Sequence, residues 1–170
     1  MIDIRPVASA DISSVARINV DVWRTTYRGL VPDAFLAGLD YRQAEERWER
    51  FLQRPGAIAL VAELEGSVVG YVMAGRERSG NEHYTGEIYA IYIRDEHQGH
   101  GIGRALLLAT STALRLAGME SLLVWVLDGN PAVEFYRKCG GLFVARKQIE
   151  IGGAIVDETA YGWAQMPGAR

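Results

Sequence analysis

Hydrophobic and polar residues follow two different periods along this chain, and each period predicts one kind of element. Apolar residues three or four positions apart, with start and stop signals, are typical of helices. Predicted helices lie at residues 12–22, 33–39, 41–52, 101–117 and 131–138. Short runs rich in β-branched and aromatic residues are typical of strands. Predicted strands lie at residues 2–5, 57–64, 68–75, 87 onward, 122–127, 144–151 and 155–163. Asp11 and Asp33 are candidate N-caps of the first two helices.

The order of these elements favours a mixed sheet. Glu65-Gly66-Ser67 and Gly152-Gly153 each separate two strand-like runs and predict hairpins. Between residues 87 and 138 the order is strand, helix, strand, helix, which favours parallel pairing of the two strands. Parallel strands that diverge at their C-terminal ends open a cleft, where ligands bind in α/β sheets. The polar segment 76–86 predicts a mobile loop that borders a substrate mouth.

A glycine-rich turn joins the strand at residue 87 to the longest predicted helix. It reads Gln98-Gly99-His100-Gly101-Ile102-Gly103-Arg104. The start of a helix has unpaired backbone N–H groups, and glycines let a diphosphate approach them closely. Arg104 could add a charge-assisted contact. The spacing lacks the G-x-G-x-x-G register and no Gly-Lys-Ser/Thr follows, so dinucleotide and nucleoside triphosphate sites are disfavoured.

Size and composition restrict the class of protein. With 170 residues, 49% of them hydrophobic, the chain is long enough for one domain, and no linker divides residues 1–170. A net charge of −3 provides no basic face for nucleic acid. No apolar run approaches the roughly 20 residues that span a membrane, so we expect a cytoplasmic protein without membrane contact. A lone Cys139 and three scattered histidines predict no metal site, and we expect Cys139 to pack.

Two motifs in order resemble one family. Gln98-Gly99-His100-Gly101-Ile102-Gly103 matches the Gln/Arg-x-x-Gly-x-Gly/Ala signature of the GNAT superfamily of N-acetyltransferases. Glu87 lies eleven residues before Gln98, where many members carry an acidic residue. Asn130-Pro131-Ala132-Val133-Glu134-Phe135-Tyr136 resembles the family's Asn-x-x-Ala-x-x-Phe-Tyr segment, with Asn130 one residue closer than usual. Trp23-Arg24-Thr25-Thr26-Tyr27-Arg28-Gly29-Leu30-Val31-Pro32 is similar to the N-terminal signature of a bacterial subgroup that includes polyamine-type acetyltransferases.

The resemblance implies a fold and a co-substrate. The implied fold is α/β (α+β), with a mixed, mostly antiparallel sheet of about six to seven strands, helices on both faces and a splayed central parallel pair. Acetyl-CoA would lie in the splay as co-substrate, with its diphosphate at the glycine turn. The implied cofactor-binding residues are Ile91, Tyr92, Ile93, Gln98, Gly99, His100, Gly101, Ile102, Gly103, Arg104 and Asn130.

The resemblance also implies two catalytic residues. Glu87 would act as general base, directly or through water, because an alkylamine with a pKa of about 10.4 is almost entirely protonated at neutral pH. Tyr136 would donate a proton to the departing thiolate. Because Phe135 and Tyr136 are adjacent on a helix, they cannot face the same way, and we expect Phe135 to be the core residue. A backbone N–H near Ile91, freed by a bulge, could polarise the carbonyl while the amine attacks directly.

The sequence says less about the acceptor substrate, the molecule that would receive the acetyl group, than about the fold or the co-substrate. Trp23, Tyr27, His83 and Tyr84 are candidate substrate-binding residues, and ordinary packing is an equal alternative for Trp23 and Tyr27. We expect a primary amine of a small molecule as acceptor. The alternatives are a protein N-terminus or lysine and, in another class, a non-catalytic acyl-CoA sensor module. A homodimer through the terminal hairpin or an exposed strand edge is a further hypothesis.

Overall fold

The computed structural model describes residues 1–168 and contains one seven-stranded mixed sheet. Its strands are β1 (Ile2–Pro6), β2 (Ile58–Leu64), β3 (Ser67–Arg76), β4 (Gly86–Ile93), β5 (Leu122–Leu127), β6 (Leu142–Ile151) and β7 (Ala154–Trp163). Their order across the sheet is β1-β2-β3-β4-β5-β7-β6. Every neighbouring pair is antiparallel except β4 and β5. The predicted mixed, mostly antiparallel sheet is confirmed.

Five α-helices pack around the sheet. They are α1 (Ile12–Thr26), α2 (Asp33–Ala37), α3 (Tyr41–Leu52), α4 (Ile102–Leu116) and α5 (Ala132–Lys138). Asp33 is the first residue of α2 and not its cap, which is Pro32. Asp11 does not cap α1 through its side chain either. Its carboxylate instead accepts hydrogen bonds from the Arg5 guanidinium at 2.7 and 3.0 Å and from the Ala8 N–H at 2.8 Å, because a charged partner outcompetes a helix N–H group.

The two faces of the sheet are covered by different helices. Leu107 of α4 belongs to a core cluster with Ile88 of β4 and Val124 of β5, and we call this side the back face. α1 and α3 cover the other side, the front face, where Trp48 packs edge-on against Tyr71 with ring centroids 4.8 Å apart. Each of these helices therefore turns its apolar stripe towards the sheet.

β4 and β5 are paired only at their N-terminal ends. The paired residues are Gly86 with Leu122, Glu87 with Leu123 and Ile88 with Val124. Directly afterwards the ladder between β4 and β3 has a bulge in which Tyr89 is the extra residue. Beyond it β5 pairs only with β7, on its other side. The splay between the two central strands and the nearby bulge are thus both present.

The loop between β3 and β4 is shorter than predicted. Arg76 belongs to β3 and Gly86 to β4, so the loop covers residues 77–85. The Glu77 carboxylate accepts backbone hydrogen bonds from Gly80 and Asn81, both at 3.0 Å. The loop is therefore closed around one of its own side chains.

The C-terminal hairpin forms one edge of the sheet. Its tip at Gly152 packs closely against Phe35 of α2. β6 is the edge strand and exposes Leu142 and Phe143. The homodimer expected through this hairpin stays a prediction. Within residues 1–168, no helix has the length and apolar character needed to cross a membrane.

Candidate active site

A cleft opens where β4 and β5 separate. Its volume is about 440 Å³, and it is bounded by β4, the glycine turn, the start of α4 and α5. Its walls contain nine of the eleven residues expected to bind the cofactor. The nine lining residues are Ile91, Tyr92, Ile93, Gln98, Gly99, Gly101, Gly103, Arg104 and Asn130. Residues from two distant motifs therefore meet in one cleft.

The two exceptions are His100 and Ile102. The His100 side chain is exposed on the turn, and the Ile102 side chain is buried in the back-face core, so neither lines the cleft. The Gln98 side chain is used within the turn itself, because its amide donates to the Ile93 carbonyl at 3.0 Å and to the Asp95 carboxylate at 3.1 Å. Gln98 thus shapes the turn that a ligand would meet.

Backbone geometry makes the glycine turn suitable for an anion. Gly99 and Gly101 have φ angles of +78° and +81°, which residues with side chains rarely adopt. A Cβ added to either would have no heavy atom within 4 Å, so both glycines border open space. The first hydrogen bond of α4 joins the Ala105 N–H to the Gly101 carbonyl at 3.0 Å. The three N–H groups between them therefore have no helical partner and, with Arg104, suit a diphosphate.

Glu87 lies buried on the front face with 4% of its surface exposed. Its Oε2 accepts a hydrogen bond from the Arg78 backbone N–H at 2.9 Å, and the Arg78 guanidinium donates to Oε1 at 2.9 Å. The same guanidinium stacks 3.6 Å above the Tyr89 ring. Because each carboxylate oxygen can accept about two hydrogen bonds, Oε1 keeps capacity for a water or an amine proton.

The structure reverses the positions expected for Phe135 and Tyr136. Tyr136 is 3% exposed and packs in the back-face core, with its ring 6.3 Å from that of Trp163. Phe135 is half-buried and lines the cleft. The expectation that Phe135 is the core residue is wrong, because α5 lies so close to Gly103 of α4 that a Cβ there would be 3.2 Å from the Phe135 ring. Burial raises the pKa of Tyr136 and keeps its phenol protonated.

A hydroxyl pair joins α1 to β4 beside the cleft. The Tyr27 Oη lies 3.1 Å from the Tyr92 Oη, and the Asn130 amide donates to the Tyr27 Oη at 3.1 Å. The Asn130 Oδ1 accepts from the first N–H of α5 at 2.9 Å, although Pro131 and not Asn130 is at the N-cap position. Asn130 therefore bonds both to Tyr27 and to the start of α5. Burial raises the pKa of Tyr27, and the negative charge of Glu158 contributes to the increase.

The other expected acceptor residues are dispersed. Trp23 packs against Tyr27, with ring centroids 4.3 Å apart, but it lines a separate cavity of about 610 Å³ between α1, α2 and α3. The Tyr84 ring covers Gly162 of β7 so closely that a Cβ there would overlap it. His83 is exposed. Of these four residues, only Tyr27 contacts a residue of the cleft wall through a hydrogen bond, to Tyr92 and to Asn130.

Four further residues near the splay have no counterpart among the sequence predictions. They are Arg78, Trp125, Lys147 and Glu158. Lys147 Nζ lies 4.0 Å from the centroid of the Trp125 ring and 3.2 Å from the Glu158 carboxylate. They come from a loop and three different strands, so no local motif marks them. Only the alternation of residues along β5 and β7 could have placed Trp125 and Glu158 on one face.

Cys139 has no features of a reactive thiol. It is half-buried at the end of α5, where it lines the cleft and packs against the core as expected. Burial raises the pKa of its thiol. Within residues 1–168, no group of three or more His, Cys, Asp or Glu side chains is arranged to hold a metal ion.

Comparison with known proteins gives a consistent assignment. Residues 23–141 match the model of the Acetyltransferase (GNAT) family. YuaI of Bacillus subtilis (strain 168), an N-acetyltransferase that is itself uncharacterized, is 36% identical over 167 residues, which are 98% of this chain and 95% of YuaI.

Solved structures show the same fold. A ribosomal-protein-alanine N-acetyltransferase from Brucella melitensis has a TM-score of 0.75 at 26% identity, over 95% of this chain and 98% of that one. PaiA N-acetyltransferase from Thermoplasma acidophilum, solved in complex with coenzyme A, has a TM-score of 0.72 at 18% identity, over 93% and 98% of the two chains. The chain is therefore an acyltransferase that belongs to the Acetyltransferase (GNAT) family.

Proposed function

We propose that this chain is an acetyl-CoA-dependent N-acetyltransferase that acetylates the primary amine of a small molecule by direct attack in a ternary complex. The observation that carries the proposal is the splay of β4 and β5, with an anion cradle at one end and the buried carboxylate of Glu87 on the front face. The relationship to YuaI and the fold shared with a coenzyme A complex support it.

The cleft offers complementary groups along the length of an acyl-CoA. The diphosphate would accept hydrogen bonds from the N–H groups at the start of α4 and contact Arg104. Residues 91–93 lie beyond the last β4–β5 pair, so their backbone groups on that side can pair with the amides of the pantetheine arm. Phe135 and Ile93 provide an apolar wall. His100 and Ile102 would contribute backbone groups only.

Glu87 is the proposed general base. At pH 7 only about one alkylamine molecule in 2,500 is unprotonated, and a general base typically contributes about 10² to 10⁴-fold, which is of the same order as this deficit. Arg78 holds the carboxylate on the front face. The amine must approach from this face, because the pantetheine arm would fill the gap between the strands. The base and its substrate would therefore meet at the splay.

Tyr136 is the proposed acid for the departing thiolate. Burial keeps its phenol protonated. Among residues 1–168 Tyr136 makes no hydrogen bond to the Tyr27 and Tyr92 hydroxyls and does not line the cleft, so we infer that its proton reaches the thiolate through a water molecule. The bulge at Tyr89 would free a backbone N–H to polarise the carbonyl.

A second candidate acceptor is a protein N-terminus or a lysine side chain. The shared fold with the ribosomal-protein-alanine N-acetyltransferase favours testing it. A non-catalytic acyl-CoA sensor is supported less, because binding alone needs neither Glu87 nor Tyr136. The N-terminal segment that resembles polyamine-type enzymes favours a small amine over both alternatives.

Release of free thiol from acetyl-CoA tests the proposal. The protein is incubated with polyamines, amino acids and aminoglycosides in one series and with N-terminal and lysine peptides in another, while calorimetry measures acetyl-CoA binding. We expect turnover with a class of small amine. Turnover with peptides alone would favour the protein acceptor. Tight acetyl-CoA binding without turnover in either series would favour the sensor, and no binding would remove the function altogether.

A further inference from the structure

Trp125 occupies a particular position at the splay. It is the first β5 residue beyond the last β4–β5 pair, which joins Ile88 and Val124. Because Glu87 is paired with Leu123 and side chains alternate, Trp125 lies on the same front face as Glu87. Its indole N–H is buried and has no hydrogen-bond partner among residues 1–168. An ammonium group cannot accept this hydrogen bond, so the case for a cationic ligand rests on the face of the ring and on the charges beside it.

An ammonium group already lies beside the Trp125 ring. It belongs to Lys147, whose Nζ is 4.0 Å from the ring centroid and 3.2 Å from a Glu158 carboxylate oxygen. An aromatic face and a carboxylate together are the chemistry that binds alkylammonium ions. The Lys147 side chain is 43% exposed, whereas that of Glu158 is 13% exposed. The cation can therefore leave towards solvent while the carboxylate stays.

The charges around Trp125 favour a cationic ligand group over an anionic one. Glu158 and the negative face of the indole ring both repel a carboxylate, and Lys147 is already paired with Glu158. Glu158 lies opposite Leu127, which packs in one buried cluster with Tyr27 of the hydroxyl pair. The neighbouring Arg146 pairs with Asp157 and, because side chains alternate along β6, lies on the back face.

We propose that Trp125 and Glu158 form a subsite for a second ammonium group of the acceptor, and that Lys147 occupies this subsite until the acceptor displaces it. This inference rests on the proposed function and names its substrate class, an amine with a second cationic group. Trp125 lies two residues beyond Leu123, the residue that is paired with Glu87. Two residues of a strand cover about 6.6 Å, which is close to the extended length of a four-carbon chain between two nitrogens.

Three acceptors with four carbons each test the subsite: 1,4-diaminobutane, 1-aminobutane and 4-aminobutanoate. The carbon farthest from the reacting amine carries an ammonium group in the first, only hydrogen in the second and the two oxygens of a carboxylate in the third. The wild-type enzyme should prefer 1,4-diaminobutane. Lys147→Met should lower the KM for 1,4-diaminobutane about tenfold, because a factor of ten corresponds to the free energy of a good cation–π contact. The KM for 1-aminobutane should change less than about twofold. Glu158→Gln should raise the KM for the diamine by a similar factor.

The matched control is Arg42→Met, which removes an exposed cation paired with Glu46 on α3. It should leave all three KM values unchanged. An unchanged or higher KM for the diamine in Lys147→Met would overturn the proposal, because Lys147 would then not compete with the substrate. A wild-type preference for 4-aminobutanoate would also overturn it and would make Lys147 a carboxylate ligand.

Calorimetry separates failure of the subsite from failure of the proposed function. If none of the three amines is acetylated, the proposed small-amine activity fails for this class, and the subsite is judged by binding to the coenzyme A-saturated protein. Lys147→Met should then bind 1,4-diaminobutane about tenfold more tightly than 1-aminobutane, and Lys147→Met with Glu158→Gln should lose the difference. Equal affinities for both amines in Lys147→Met would overturn the subsite.

Discussion

The cleft between β4 and β5 and the front face beside it are built by different means. The cleft depends on backbone groups: the N–H groups at the start of α4, two left-handed glycines and the unpaired edge of β4. The front face depends on side chains, which form two ion pairs, Arg78 with Glu87 and Lys147 with Glu158. A backbone site recognises the part of the substrate that stays constant, whereas side chains can change acceptor specificity without altering the fold.

The largest expected effect separates chemistry from cofactor binding. Glu87→Gln should lower kcat by about 10² to 10⁴-fold, because the amine would lose its proton acceptor, while acetyl-CoA affinity should change little. Steady-state kinetics and calorimetry measure the two quantities. Glu82→Gln, which alters an exposed carboxylate of the neighbouring loop, is the control. A parallel loss of acetyl-CoA affinity in Glu87→Gln would mean that the two regions are not separable.

A pair of glycine variants tests the backbone cradle. Gly101 and Gly118 have φ angles of +81° and +84°, and neither has a heavy atom within 4 Å of an added Cβ. Alanine at either position should cost about 1–2 kcal/mol of unfolding free energy through the same backbone strain. Only Gly101→Ala should also weaken acetyl-CoA binding, by roughly tenfold, since it alone borders the cradle. Equal affinities in the two variants would contradict the location of the diphosphate.

A smaller effect is expected from the buried phenol. Tyr136→Phe should lower kcat roughly tenfold, which is less than the rate enhancement that general acids typically provide. The effect is small because a thiolate leaves readily near neutral pH, since its thiol has a pKa of only about 8.5. Its stability should be close to that of the wild type, which urea unfolding checks. Tyr161→Phe on β7 is the matched control. An unchanged kcat in Tyr136→Phe would leave this residue with a packing role only.

The smallest effect is expected at the thiol in the cleft wall. Cys139→Ser should keep kcat within about twofold of the wild type, because burial raises the pKa of the Cys139 thiol and direct attack needs no protein nucleophile. Initial rates with both substrates varied should also exclude ping-pong kinetics. A drop of more than about a hundredfold, or an acetylated Cys139 found by mass spectrometry, would replace direct attack with a covalent route.

Local patterns predicted the cleft better than the front face. The turn from Gln98 to Arg104 could be identified because its conformation depends on neighbouring residues and on the positions of its glycines. The prediction that Phe135 and not Tyr136 is the core residue was wrong, because the positions of the two rings depend on how closely α5 approaches Gly103 of α4. The prediction that the Asp11 side chain caps α1 was wrong for a similar reason. The sequence does not show that the Arg5 guanidinium lies within 3.0 Å of the Asp11 carboxylate.

The amino-acid sequence by itself determined the order and type of the elements, because periodicity, capping and glycine turns act over a few residues. It also determined that β4 and α4 are joined by a glycine-rich turn. Only the tertiary structure decided which distant side chains meet at the splay: Arg78 with Glu87, Tyr27 with Tyr92, and Lys147 with Trp125 and Glu158. Such contacts depend on strand register and helix packing, which arise from the burial of the whole core and leave no signal in any short stretch of the chain.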